Sequence, residues 1–201
     1  MRCLFSITFL FISVLLPSHG KAQEYESISY KVNYPQWNVP DYKAANSAGN
    51  EDYLTPEEKL VYYYLNLVRM NPKLFAETYL AYLENSTDYY EKSLYDELRK
   101  MTPRAVIKPN RKLFESARCH AIESGEKGFV GHERFRCQEY FMGECIHYGG
   151  DDALGIVTSL LIDQSVKSLG HRKICLGYFT EAGISIQPHS SYGKNAVLDF
   201  M

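Results

Sequence analysis

A dominant charge is the first thing this chain lacks. Its 22 Lys and Arg face 24 Asp and Glu. That balance offers no basic face, so nucleic acid is excluded as an expected partner. After residue 22 no apolar run reaches the ~20 residues that a bilayer-spanning helix needs. No stable membrane span is therefore expected beyond that point. There is no Gly-x-Ser-x-Gly elbow and no phosphate-cradling Gly-rich loop, which removes the usual local signatures of serine hydrolases and nucleotide binders. Internal repeats and low-complexity tracts are also missing.

What is present begins with an export signal. Met1-Arg2 gives a positive start, Cys3 to Leu16 is almost wholly apolar, and small residues at Gly20 and Ala22 suit cleavage before Gln23. Residues 1–22 therefore read as a signal peptide, and the product as secreted or periplasmic. Cleavage would remove Arg2 and Lys21 and leave 20 basic against 24 acidic residues, a net charge of −4. The length beyond it fits one domain. Cysteine is sparse but even in number there: Cys119, Cys137, Cys145 and Cys175. In an oxidising compartment all four are disulfide candidates, with three possible pairings.

Residues 23–54 form an irregular arm, broken by Pro35, Pro40 and Gly49 and carrying Tyr30, Tyr34, Trp37 and Tyr42. Order begins at Thr55-Pro56-Glu57-Glu58, a capping box with Pro at the first helical position. Val61, Tyr64, Leu65 and Val68 then make one apolar stripe at helical spacing. Asn71-Pro72 ends this helix and starts another. Residues 82–95 are polar, Tyr-rich and expected to be helical in part, and Asn85-Ser86-Thr87 is a glycosylation sequon. Asn110 caps a helix running to about Glu126, and Asp151-Asp152 opens a further one. Gly183 to Gln187 and Asn195 to Phe200 alternate as two strands around a polar turn containing His189, a β-hairpin. Helices early and strands late predict an α+β layered domain.

Three places carry candidate chemistry. Gly131-His132-Glu133 would open a zinc-protease helix if a second His followed four residues after the first, but position 136 is Arg. Gly143-Glu144-Cys145 sets a carboxylate in apolar surroundings, where it needs a partner. Gly170-His171-Arg172-Lys173 presents an imidazole beside two cations. His147 and His189 have weaker claims. A Cys–His pair could serve nucleophilic chemistry, but oxidation would consume the thiols.

Taken in order, these fragments resemble the CAP superfamily: cysteine-rich secretory proteins, antigen 5 and plant pathogenesis-related proteins, also called SCP domains. Leu65-Asn66-Leu67-Val68-Arg69-Met70-Asn71-Pro72 resembles the family's first helix and Leu113 to Ala121 its second. Gly131-His132 resembles the position of the first cavity histidine, and Gly143-Glu144-Cys145-Ile146 the family's Gly-Glu-Asn-Ile. Gly170-His171-Arg172 resembles the bacterial branch's Gly-His-Arg, and Phe179 to Phe200 the closing hairpin. The likeness covers residues 55–201.

The resemblance implies a three-layer α-β-α sandwich in which His132, Glu144 and His171 converge in a cleft. Asp163 stands for the family's fourth cavity position, where Glu is usual. Two imidazoles with one or two carboxylates would suit a divalent metal, zinc first. Cys145 in place of Asn raises the idea of a bond to Cys137 or Cys175. The function implied is a secreted module binding a small molecule, a lipid, or a protein or cell-envelope partner. The alternatives are a metal-assisted hydrolase with Glu144 or Asp163 as base, and a structural envelope-associated module.

Overall fold

The computed structural model describes residues 34–201; the expected signal peptide and the start of the arm lie outside the described residues. Two 3-10 turns, Pro35–Trp37 and Pro40–Ala45, lead into helix α1, Pro56–Met70. The expected capping box is complete: the Glu58 N–H donates to Thr55 Oγ1 at 3.2 Å, and the Thr55 N–H to Glu58 Oε2 at 2.8 Å. The other oxygen of the buried Glu58 accepts from the Ile186 N–H at 2.9 Å, tying the start of α1 to the sheet. Asn71 ends α1 and caps α2, Pro72–Thr78, by accepting from the Leu74 N–H.

Asp88 caps α3, Tyr89–Leu98. The Tyr-rich stretch is thus a 3-10 turn, Ala81–Leu83, followed by a helix that starts later and runs further than the sequence pattern indicated. The short strand β1, Lys108–Pro109, precedes α4, Arg111–Lys127, which Asn110 caps and Gly128 ends in a left-handed conformation. Strand β2 is Gly143–Tyr148. Asp152 caps α5, Ala153–Ile162; then come α6, Gly170–Cys175, and the hairpin of β3, Glu181–His189, with β4, Gly193–Phe200. The hairpin strands are longer than expected because pairing continues to His189 opposite Gly193. His189 therefore belongs to the strand end rather than to an open turn.

The four strands lie in the order β1-β3-β4-β2, parallel between β1 and β3 and antiparallel elsewhere, so β2 is an edge. Side chains alternate across this sheet. Ile146 and Val197 meet Ala117 and Ala121 of α4 on one face. Cys145, Ala196 and Leu198 join the larger core formed with α1, α2, α3 and α5 on the other. The result is an α+β fold, an α-β-α sandwich with a C-terminal antiparallel hairpin. Helix α4 sits very close to β3: a Cβ at Gly183 would lie 1.9 Å from the backbone of Leu113 and Phe114.

The described part of the arm is packed into the same core. Trp37 is 2 % exposed and donates its ring N–H to Thr78 at 3.1 Å. Two polar residues of α1 work as buried clamps. Asn66 donates to the carbonyls of Ala45 and Ile107 and accepts the Ile107 N–H. Arg69 donates to the carbonyls of Ala105, Cys175, Gly177 and Phe179. Arg69 thereby fixes the end of α6, and with it the helix that carries His171. Among the described residues no helix is long and apolar enough to cross a membrane.

Candidate functional site

The site forms beside the edge strand β2, where the connection from α4 on one face meets α6 on the other. Residues 129–142 make that connection and carry His132 and Arg134. The loop is held in several places. A disulfide joins Cys137 to Cys119 of α4. The Gly131 N–H donates to Tyr148 Oη at 2.9 Å, and its carbonyl lies 3.1 Å from His120 Nε2. Buried Glu123 accepts from the N–H groups of Phe135 and Arg136. A segment without regular structure is in this way fixed well enough to aim a side chain.

His132 Nδ1 lies 2.7 Å from Glu144 Oε1. Glu144 projects from β2 towards α4, and its second oxygen pairs with the Arg134 guanidinium. Arg134 also reaches both oxygens of Asp199 at 3.1 Å and donates to the Ser116 carbonyl at 3.0 Å and hydroxyl at 3.1 Å. Ser116 in turn donates to Asp199 at 2.6 Å. The three charged side chains are almost wholly buried, at 2 % exposure for Arg134 and Glu144 and 0 % for Asp199. Two carboxylates thus share one guanidinium. Burial pushes Asp199 up to about 8, against the Ser116 hydrogen bond and the Arg134 charge, with the Glu144 charge adding to the rise. Burial acts on Glu144 in the same sense, but the His132 hydrogen bond and the Arg134 charge outweigh it and hold Glu144 below its ordinary range. The two carboxyls are thus pushed in opposite directions, Asp199 up and Glu144 down.

The second half of the site is built at a helix end. Asp163 closes α5 in a left-handed conformation, φ 57°. One of its oxygens lies 2.7 Å from His171 Nδ1 and the other accepts the His171 backbone N–H at 2.9 Å. The adjacent Arg172 is 1 % exposed and donates to the carbonyls of Leu161, Ile162 and Tyr90, so α6 is locked against α5 and α3.

The rings of His132 and His171 lie 6.3 Å apart, centroid to centroid, with their planes inclined by 35°. His132 is more open, its side chain 57 % exposed against 24 % for His171. Each Nδ1 faces a carboxylate, which accepts only, so Nδ1 carries the proton and donates. Each Nε2 is left as a lone pair when the ring is neutral, and among the described residues only the Nδ1 atoms of the two rings are hydrogen-bonded. The hydrogen bond to Glu144 raises the His132 pKa above its ordinary value.

All four residues singled out in the sequence are therefore brought together, but the carboxylates take a different role from the one expected. Glu144 and Asp163 do not stand beside the imidazoles as ligands. They stand behind them, with every oxygen engaged by a donor. A carboxylate backing an imidazole in this way fixes its tautomer and raises its basicity towards a metal. Among the described residues no group of three or more His, Cys, Asp or Glu is arranged to hold a metal ion. Closed structural zinc sites use four protein ligands and catalytic ones three.

The cysteine expectations divide. Cys119 and Cys137 are bonded, whereas Cys145 and Cys175 are free, buried thiols 3.9 Å apart. Cys145 cannot pair with Cys137, because β2 turns it towards α6 while Cys137 lies against α4. Burial raises the Cys145 thiol well above its ordinary pKa, which removes it as a thiolate nucleophile. His147 and His189 have other neighbours: His147 Nε2 lies 3.0 Å from Asp151, and His189 Nε2 lies 3.0 Å from the Phe129 carbonyl. Sequence reasoning missed Arg134, Ser116 and Asp199, the polar core behind His132. The cue was local: a carboxylate in an apolar strand demands a cation, and Arg134 is the cation two residues from His132.

No protein-family model matches the chain, and no curated protein matches it significantly.

Proposed function

We propose that this chain is an exported CAP/SCP-type binding module that takes its ligand in the cleft between His132 and His171. The observation that carries this reading is the pair of rings, 6.3 Å apart, each backed at Nδ1 by a buried carboxylate. Residues distant in sequence form two imidazole–carboxylate dyads side by side. Arg134, Asp199, Ser116, Arg69 and Arg172 are spent on holding them there. A cleft built in this way offers two preset lone pairs to an electrophilic partner. A divalent cation, zinc foremost, would be held by Nε2 of His132 and His171 and would add a Lewis-acidic centre to which an oxygen-bearing ligand binds. Small molecules, lipids and cell-envelope or protein partners that present such an oxygen are the candidates.

The hydrolase alternative finds less support. Its base would be Glu144 or Asp163, yet both carboxylates are buried behind the rings, at 2 % and 1 % exposure, where they meet the imidazoles rather than a free water. A module with a purely structural role would have no need to leave Nε2 of both histidines without a partner among the described residues. Elemental analysis of protein purified without chelator tests the reading. Wild type should carry a divalent metal that His132→Ala/His171→Ala lacks, while both variants fold. Equal metal content in the two proteins would overturn it, as would a folded wild type that takes up no zinc when the ion is supplied.

A further inference from the structure

Cys145 and Cys175 are free thiols that the cleft itself does not use. They come from different elements, the middle of β2 and the end of α6, yet their sulfurs lie 3.9 Å apart. That is contact without a bond, at about twice the length of a disulfide. Both belong to elements that carry the cleft. Side chains alternate along β2, so Glu144 is turned towards α4 and its neighbour Cys145 towards α6. Cys175 stands four residues after His171, one helical turn further along the same side of α6. The Cys145 thiol also donates to the His171 carbonyl at 3.7 Å. The two sulfurs therefore sit at the joint between the strand that carries Glu144 and the helix that carries His171.

Two cysteines in contact are one oxidation away from a bond, and the molecule already holds such a bond between Cys119 and Cys137. Export, as expected from residues 1–22, would bring disulfide oxidants to it. The reaction balances by exchange with a disulfide RSSR. Cys175, as thiolate, attacks one sulfur of RSSR and releases the first RS⁻. Cys145, as thiolate, then attacks the Cys175 sulfur of the mixed disulfide and releases the second. The two cysteine protons end on two RSH, and the oxidant gains the two electrons that the pair loses. Both cysteines are buried, at 0 % and 1 % exposure, so exchange proceeds through local opening of the six-residue α6. The same opening admits the water that lets Cys145 shed its proton. Closing the bond has two consequences for His171. A disulfide sulfur carries no hydrogen, so the donor to the His171 carbonyl is lost. Arg69 pins the Cys175 carbonyl at 2.6 Å, so the shift that draws the sulfurs together falls on the rest of α6, where His171 stands.

We propose that Cys145 and Cys175 form a redox switch, a disulfide made and broken by exchange, which resets His171 relative to His132. The switch rests on the binding reading above for its purpose, and its test is read without metal so that the two fail separately. Native protein is equilibrated in zinc-free buffer with oxidised glutathione, and then returned to reduced glutathione. Alkylation in denaturant followed by peptide mass spectrometry should find Cys145 joined to Cys175 in the first state and alkylated at both positions in the second. NMR of the histidine rings and backbone amides should show the His171 signals moving between the two states, and moving further than those of His189, whose ring meets the Phe129 carbonyl. Cys175→Ala and Cys145→Ala, either of which suffices as control, should lose that movement. The proposal is overturned if native protein keeps both thiols in oxidised glutathione, if the bond forms and His171 stays still, or if an alanine variant shows the same movement. A bond that forms with the expected movement, in a protein that takes up no zinc in either state, leaves the switch standing and removes the metal-binding reading alone.

Discussion

Replacing Arg134 with Met tests the polar core behind His132. The guanidinium is 2 % exposed and is the cation facing both Glu144 and Asp199, which are 2 % and 0 % exposed. Met fills most of the same space, so the cavity contribution is small and the electrostatic one dominates. Removing one partner of a buried ion pair costs about 3–5 kcal/mol, because the surviving charge stays desolvated. Two hydrogen bonds to Ser116 are lost as well. Proton uptake by the carboxylates softens the penalty, so we expect about 3–5 kcal/mol in total. For a domain of this size that corresponds to a fall in melting temperature of roughly 6–20 °C. The single Trp gives a convenient probe, since Trp37 is buried at 2 % exposure: urea unfolding followed by its fluorescence at pH 7 gives the difference directly. Arg134→Lys should fall between, because an ammonium keeps the charge but not the fork that reaches Glu144, Asp199 and Ser116 together. A loss below about 1 kcal/mol for Arg134→Met would refute the claim that this guanidinium holds the site.

Asp199→Asn should change how stability depends on pH. The folded carboxyl titrates near 8 against an ordinary 3.8, so between those values the folded state holds a proton that the unfolded chain has released. Stability contributed there falls as pH rises, and the Asn variant, lacking the proton, should gain on wild type from pH 5 to 8 in urea unfolding; a constant or reversed difference would contradict this. Cys119→Ser/Cys137→Ser opens a bridge of sequence separation 18 and should cost about 3 kcal/mol by chain entropy; a cost under about 1 kcal/mol would mean that the unfolded chain is already confined there. Gly183→Ala places a Cβ 1.9 Å from helix backbone that cannot swing aside and should cost about 3 kcal/mol or more. Gly150→Ala, which meets nothing within 4 Å, should stay within about 0.5 kcal/mol. Equal effects of the two glycine changes would contradict the close packing of α4 on β3.

The helix starts were legible because each is a local event. Thr55, Asn110 and Asp152 cap their helices by bonding groups two or three residues away, and short-range chemistry of that kind is written in short motifs. The hairpin was legible from alternation, but its ends were not, since pairing to His189 depends on what α4 permits beside Gly125. His132, Glu144, Asp163 and His171 were named because their fragments resemble those of a known family. Periodicity alone would not gather them, as they sit in a loop, near the start of a strand, at the end of one helix and at the start of another. Their roles were misjudged for a geometric reason. Composition says that two histidines and two carboxylates are present, but not that the carboxylates bond Nδ1 from behind. Cys145 meets the free thiol of Cys175 rather than Cys137 because the strand direction, not its distance along the chain, decides which face it meets. Asn66 and Arg69 carried part of the family likeness, and both prove to be clamps on backbone carbonyls, one of which holds α6 in place.

The account stands on His132 and His171 acting as one site, and histidine-ring NMR during a zinc titration tests this most directly. Before zinc, both rings should be protonated at Nδ1 when neutral. During the titration both Nε2 signals should move together and stop at one equivalent of metal. Movement of one ring alone, two separate equivalents, or a proton found on Nε2 of either neutral ring would contradict it.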